Sequence, residues 1–246
     1  MTKRGITDKM NREIAVLLAA GLGSRMKPLT NIIPKPLVKV NGTPLIETII
    51  QGLRIRNIDC IYVVVGYKKE MFDYLPEKYK EVILVENNEY MEKNNISSVH
   101  AVCDFLGENA CFICEADVYV RKIGIFQTEF NRSVYYGKMI QGYSDDWIFE
   151  TEDGKIVEIR KGGSNTYNMT GVAYLLKEDA RLLKQRIEEI YNAPGTERLF
   201  WDEVVNQLLG QIAMGINEVN SDDLVEVDTI DELMALDQSY KEWLNN

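Results

Sequence analysis

Histidine is almost absent from this chain: there is one, His100, in 246 residues. That removes histidine triads and multi-histidine metal centres from its chemistry. Four cysteines are too few to staple a chain of this length. Two of them form Cys111-Phe112-Ile113-Cys114 in a strand-like run. Positions three apart in a strand face opposite ways, so this pair cannot chelate one ion and reads as core thiols in a reducing compartment. Long apolar runs are missing too. The longest, Ile14 to Leu22, is less than half of the ~20 residues that span a membrane. Lys3, Arg4, Lys9 and Arg12 precede it, but no small-residue cleavage site follows. The expected location is therefore the cytoplasm, with no membrane insertion. Positive charge is in deficit: 28 Lys and Arg against 38 Asp and Glu give a net charge of −10. This disfavours nucleic acid and anionic lipid as partners, while a few local cations could still hold a small phosphorylated ligand. Repeats, low-complexity tracts and Pro/Ser linkers are also lacking.

What remains is an ordinary globular composition, 46% hydrophobic and 27% charged, long enough to bury a core unaided. Strand candidates at Ile14–Ala19, Cys60–Val65, Val82–Glu86 and Ala110–Cys114 alternate with helical patterns from Pro44 to about Arg56, near Lys68–Tyr74 and at Ser97–Phe105. Continuous rather than alternating apolar strands indicate a parallel sheet covered on both faces. Beyond residue 133 the spacing predicts shorter strands at Val134–Gln141, Trp147–Thr151, Lys155–Arg160 and Gly171–Leu176. Helices follow at Lys177–Tyr191 and Trp201–Leu209, then a strand at Leu224–Val227 and a last helix from Thr229 to about Trp243.

The first strand runs into Ala19-Ala20-Gly21-Leu22-Gly23-Ser24-Arg25. A glycine turn at the carboxyl end of a first parallel strand is where open α/β sheets bind nucleotides. Gly21 and Gly23 expose backbone N–H groups to phosphate, and Arg25 adds a fork of donors. The dinucleotide pattern fails at Met26 and the Walker pattern is absent. Lys35 lies between Pro34 and Pro36, a rigid mount that would hold its backbone extended and aim its ammonium at a phosphate. Two strand ends carry acids, Glu115-Ala116-Asp117 and Glu226-Val227-Asp228. The capping box Thr229–Glu232 leaves Asp228 free of helix-capping duty.

The motif A-A-G-x-G-S-R followed by Pro28-Leu29-Thr30 and Pro34-Lys35-Pro36-Leu37 resembles the nucleotidyltransferase superfamily that makes nucleotide-sugars and CDP-alcohols. Val64-Val65-Gly66-Tyr67 extends the likeness. The resemblance implies a Rossmann-like α/β fold with a mostly parallel central sheet and helices on both faces. It implies one domain over residues 1–246: a flexible extension (1–12), a mainly nucleotide-binding half (13–132) and a mixed α+β, mainly acceptor-binding half (133–246). By the same likeness Leu18, Ala19, Ala20, Gly21, Gly23, Ser24, Arg25 and Lys35 would hold a nucleoside triphosphate, with Lys35 and Arg25 catalytic. Asn95, Ser97 and Glu115 would complete the nucleotide site. Asp117 and Asp228 map onto the family's metal aspartates, implying Mg2+ as cofactor.

Asn94-Asn95, Trp201-Asp202 and the Glu-x-Asp ending resemble bacterial phosphocholine cytidylyltransferases in particular. Aromatic faces attract quaternary ammonium groups, so Trp147, Tyr167 and Trp201 with Asp202 and Lys161 are the expected acceptor site. The expected reaction is attack of phosphocholine on CTP, giving CDP-choline and pyrophosphate. The alternatives are a different acceptor, either an aminoalkyl phosphate or phosphonate or a sugar-1-phosphate, then a metal-dependent glycosyltransferase or a nucleotide-sensing domain. Oligomeric state is left open.

Overall fold

The computed structural model describes residues 12–241; the expected extension up to residue 11 and the end of the last helix at Trp243 lie outside them. The first half supplies β1 (Glu13–Ala19), a two-residue hairpin of β2 (Lys39–Val40) and β3 (Thr43–Pro44), α1 (Leu45–Ile55), β4 (Ile61–Val65), α2 (Tyr74–Lys78), β5 (Val82–Glu86), α3 (Ile96–His100), β6 (Ala110–Glu115) and β7 (Val118–Val120). The second half adds β8 (Val134–Met139), β9 (Tyr143–Glu152), β10 (Lys155–Ser164), β11 (Tyr167–Leu175), α4 (Lys177–Ile190), α5 (Trp201–Leu208), β12 (Gly215–Glu218), β13 (Leu224–Glu226) and α6 (Ile230–Leu236).

Six successive apolar residues, Ile14 to Ala19, are all buried, as a strand covered on both faces requires. β1 accordingly sits in the middle of the sheet, parallel to β4 on one side and β6 on the other. Alternate side chains feed two separate cores. Ala15, Leu17 and Ala19 enter one with α1, and Val16 and Leu18 enter the other with α4 and α5. Cys114 belongs to the first core and Cys111 to the second, so the C-x-x-C pair is split across the sheet, and all four cysteines are free. Both halves of the chain build one nine-stranded sheet in the order β10-β9-β11-β6-β1-β4-β5, with β8 joined to β11 and β12 to β8. The fold is α/β and Rossmann-like, parallel around β1 and mixed beyond β6, where β11, β9, β10 and β8 pair antiparallel and β12 runs parallel to β8.

β11 pairs with β6 only over Val172–Leu175. Its first residues, Tyr167 to Gly171, project past the carboxyl end of β6 together with the long β9–β10 hairpin. Gly171 turns this overhang at φ 72. Strands β9 to β11 are therefore longer than the expected Trp147–Thr151, Lys155–Arg160 and Gly171–Leu176, because overhanging strands need not be apolar. The helical patterns are shortened instead. Lys69–Phe72 and Cys103–Phe105 are 3-10 turns beside brief α-helices, and α6 stops at Leu236. No helix among the described residues is long and apolar enough to cross a membrane.

One buried ion pair fastens the sheet's rear edge. The Arg56 guanidinium donates to both Glu13 oxygens (2.6 and 2.8 Å) and to the carbonyls of Phe126 and Thr128 (2.6 Å each). Burial would push Glu13 upward, but the bonds from Arg56 and Tyr174 outweigh it and hold the carboxyl below its ordinary value.

Candidate functional site

The glycine loop leaves β1 at the carboxyl edge and enters a 3-10 turn, Ser24–Met26. Gly23 precedes it in the left-handed region, φ 61 and ψ 37. A Cβ there would stand 2.9 Å from Lys35 Cβ and 3.0 Å from Thr30 Cγ2, so conformation and space both demand glycine. Thr30 Oγ1 donates to the Gly23 carbonyl at 2.9 Å. The Tyr67 amide and hydroxyl donate to Ala20 O (3.1 Å) and Thr30 O (3.0 Å). The loop is thereby tied to the segment following β4.

Lys35 is rigidly mounted, though not in the extended backbone that Pro36 suggested. It opens a 3-10 turn, Lys35–Leu37, closed by Leu37 N–H to Pro34 O at 2.9 Å. Proline is tolerated at the second position of such a turn because its missing N–H would be unpaired there. The lysine is buried, and its ammonium donates to Asp117 Oδ2 at 2.7 Å and Asp228 Oδ1 at 2.6 Å. Burial opposes its charge, yet the two aspartates outweigh that and raise its pKa above the ordinary value. Arg25, mostly exposed, reaches Asp228 Oδ2 at 2.6 Å.

Asp117, Glu226 and Asp228 bring one oxygen each within 4.8 Å of one another. Asp117 lies in the turn between β6 and β7, past the strand that Glu115 ends. Asp228 follows β13, and β13 pairs with β7, which is how strand ends far apart in sequence meet. Glu226 was not among the expected ligands. Its place two residues before Asp228 in an extended segment was the available signal. Glu226 is exposed at the surface, yet desolvation among its neighbours and repulsion by Asp117 and Asp228 push its carboxyl up to about 8.

A cavity of about 250 Å³ joins these groups. Leu18, Ala19, Ala20, Gly21, Gly23, Ser24, Arg25, Lys35, Asn95, Glu115, Asp117 and Asp228, all singled out from the sequence, line it. Ser97 does not; Ser98 takes its place. Ser97 instead donates to Asn94 O at 2.8 Å and accepts from Asn87 at 2.9 Å, since adjacent residues of a helical turn point about 100° apart.

The groups expected at the acceptor end do not converge into one aromatic box. Trp201 is 1% exposed and packs on Tyr135 at 5.7 Å between ring centroids. Asp202 is buried beneath it and accepts from the Tyr135 hydroxyl at 2.8 Å; burial pushes its carboxyl up to about 7. Lys161 lies over the Trp147 ring at 5.4 Å, and Trp147 meets Phe200, an unexpected partner, edge-on at 5.9 Å. Tyr167 bonds outward to Glu218 at 2.9 Å. Asn95 links the two ends: it donates to Glu115 Oε1 and accepts from the Trp201 amide, both at 2.9 Å.

This arrangement of glycine loop, paired cations and strand-end acids defines a nucleotide-handling α/β enzyme, and comparison with known proteins narrows it. Residues 15–132 match the MobA-like NTP transferase domain. The chain is 48% identical over 227 residues to a 2-aminoethylphosphonate cytidylyltransferase of Lancefieldella rimae, covering 92% of each. It is 32% identical to the choline-phosphate cytidylyltransferase of Streptococcus pneumoniae, covering 92% of this chain and 98% of that one. A solved structure of CTP:phosphocholine cytidylyltransferase from Streptococcus pneumoniae superposes with a TM-score of 0.85 at 32% identity, over 93% of this chain and 99% of that one. The chain belongs to the nucleotidyltransferase family of which these cytidylyltransferases are members.

Proposed function

We propose that the protein transfers the cytidylyl group of CTP to a 2-aminoalkylphosphonate, releasing pyrophosphate. The observation that carries nucleotidyl transfer is the convergence of Arg25 and Lys35 with Asp117 and Asp228 on the glycine-loop cavity. The acceptor rests on similarity. The 48% identical relative is an aminoethylphosphonate enzyme, whereas the choline-phosphate relatives stand at 32% and 31%. Lack of an open aromatic box supports the same choice. Phosphocholine, the acceptor expected from the sequence, is kept as the second reading, favoured by the Trp147–Phe200 pair.

In this reading the glycine-loop amides and Arg25 hold the triphosphate. An acceptor oxygen attacks the α-phosphorus in line; the bond to the bridging oxygen breaks and pyrophosphate leaves. Phosphate monoesters lose their second proton near ~6, and a phosphonate nucleophile likewise needs no general base at mildly alkaline pH. The lone histidine agrees with that: His100 stacks on Tyr191 at 3.5 Å and does not line the cavity. Lys35 would turn from the aspartates to the α-phosphate and offset its developing charge. Asp117, Glu226 and Asp228 fit a divalent ion: their oxygens converge, and Asp117 Oδ1 is buried with no hydrogen-bond partner. Bound there, Mg2+ would neutralise phosphate charge and orient the leaving group.

The test is pyrophosphate release with each nucleoside triphosphate against 2-aminoethylphosphonate, phosphocholine and a sugar-1-phosphate. Release with CTP and 2-aminoethylphosphonate at the highest kcat/KM is expected. Faster turnover of phosphocholine would replace the first reading with the second, and no release with CTP and any acceptor would overturn both.

A further inference from the structure

The acceptor reading leaves open which group selects a primary ammonium, and the cavity contains a residue whose surroundings answer to that need. Glu115 ends β6 with its side chain on the face opposite the Lys35 cluster. Cys114 before it packs in the first core, while Glu115 meets residues bordering the second. Its Oε1 accepts from Asn95 Nδ2 at 2.9 Å and from Trp201 Nε1 at 3.4 Å. Both donors are neutral. Glu115 makes no salt bridge among the described residues, and burial, then repulsion by Asp117, Asp202 and Glu226, push its carboxyl well above the ordinary value. It stands outside the three-carboxylate group yet lines the same cavity. The overhang of β11 closes over it: a Cβ on Gly171 would lie 3.0 Å from Glu115 Cβ. The carboxylate is thus held against the cavity by two hydrogen bonds and a backbone wall, with no cation of the protein's own.

An aromatic cage for a quaternary ammonium is not built around it. Trp201 is edge-on with its N–H engaged, Tyr136 is buried and bonded to Ile125 O at 3.0 Å, and Tyr143 is 73% exposed. A quaternary ammonium has no N–H to give a carboxylate, whereas a primary ammonium has three.

We propose that Glu115 receives the primary ammonium of the acceptor and is the residue that prefers it to a quaternary one. This assigns Glu115 to the acceptor rather than to the nucleotide, and it rests on the aminoalkylphosphonate reading above. With the phosphonate at the α-phosphate beside Lys35, the two-carbon chain of the acceptor would run along the end of β6 to Glu115.

The test crosses two perturbations: wild type against Glu115→Gln, and 2-aminoethylphosphonate against ethylphosphonate and the N,N,N-trimethyl analogue. Wild type is expected to favour the primary amine over ethylphosphonate by about 10- to 100-fold in kcat/KM, the scale of a charge-assisted hydrogen bond in an enclosed site. In Glu115→Gln that preference should collapse, carried by KM for the amine rather than by KM for CTP. Glu115→Asp, which keeps the charge, should recover part of it. Equal loss with all acceptors, or a raised KM for CTP, would overturn the assignment. If wild type turns over none of the three phosphonates with CTP, the acceptor reading itself fails; if wild type uses the amine and Glu115→Gln discriminates just as well, only the role of Glu115 fails. Thermal melts of each variant separate misfolding from lost recognition.

Discussion

Replacing Lys35 with methionine should damage stability and turnover through different groups, and the two effects can be measured apart. The lysine side chain is 7% exposed and its partners Asp117 and Asp228 are 24% and 19% exposed. Removing one partner of a fully buried ion pair costs about 3–5 kcal/mol. Here both acids keep some contact with water and Arg25 still holds Asp228, so about 2 kcal/mol is the reasoned figure after screening. For a chain of this size each kcal/mol moves Tm by about 2–4 °C, giving a fall of about 4–8 °C in metal-free buffer. A divalent cation would then stabilise the variant more than wild type, since it no longer competes with an ammonium for the same oxygens. Its contribution is about 2.7 kcal/mol at ~100 times its Kd. Turnover should fall by about 100- to 1000-fold, the scale for losing one transition-state donor. Scanning calorimetry with and without Mg2+, beside pyrophosphate release, reads both. An unchanged metal-free Tm, or equal stabilisation of both proteins by Mg2+, would show that the lysine does not balance these acids. Turnover within tenfold of wild type would remove it from the chemistry.

Arg56→Met deletes four hydrogen bonds to Glu13, Phe126 and Thr128 and leaves a half-buried carboxylate to its bond from Tyr174, so urea unfolding should register a loss of about 2 kcal/mol after the same screening with kcat of the folded enzyme unchanged. Asp202→Asn should be stabilising at high pH. The folded carboxyl, raised to about 7, keeps a proton that the unfolded chain releases near ~4, so wild-type stability declines as pH rises through that window. The full decline approaches about 4 kcal/mol, from three units at 1.36 each; melts at pH 5 and pH 8 cross about two of those units and should show a decline of about 2.7 kcal/mol in wild type and none in the variant.

The elements legible in the sequence were those whose physics is local. Six apolar residues in succession can only be a central strand, and Gly23 before Ser24-Arg25 can only be a sharp turn at its end. Two prolines around Lys35 announced a fixed lysine, although the turn they build is 3-10 rather than extended. Asp117 and Asp228 were placed by the family resemblance, which puts a metal aspartate just past each of these two strands. What escaped was set by relations between distant segments. The pairing of β7 with β13 brings Glu226 in with the two aspartates; locally, only its place two residues before Asp228 hinted at it. Ser97 and Ser98 differ only in which way a five-residue helix is rotated. Trp201 and Tyr167 were equivalent aromatics in sequence; packing buried the first and sent the second to Glu218.

The charge arrangement also explains why the cations and the acids belong in one site. Asp117, Glu226 and Asp228 would repel one another if left alone, and Lys35 and Arg25 offset two of their three charges. The raised carboxyl of Glu226 takes up much of the third near neutrality. The ligand-free site is therefore close to electrically balanced. In the proposed reaction a nucleoside triphosphate would draw Lys35 and Arg25 toward its phosphates and so expose the carboxylates to one another. A divalent cation alone would have to displace those same side chains without giving them a new partner. Only the two together would satisfy every charge: Asp117, Glu226 and Asp228 would hold the cation, and Lys35 and Arg25 would find phosphate oxygens in exchange. Metal and nucleotide should accordingly bind each other's form of the protein more tightly than the free form, a reciprocity that linkage requires to be equal in both directions.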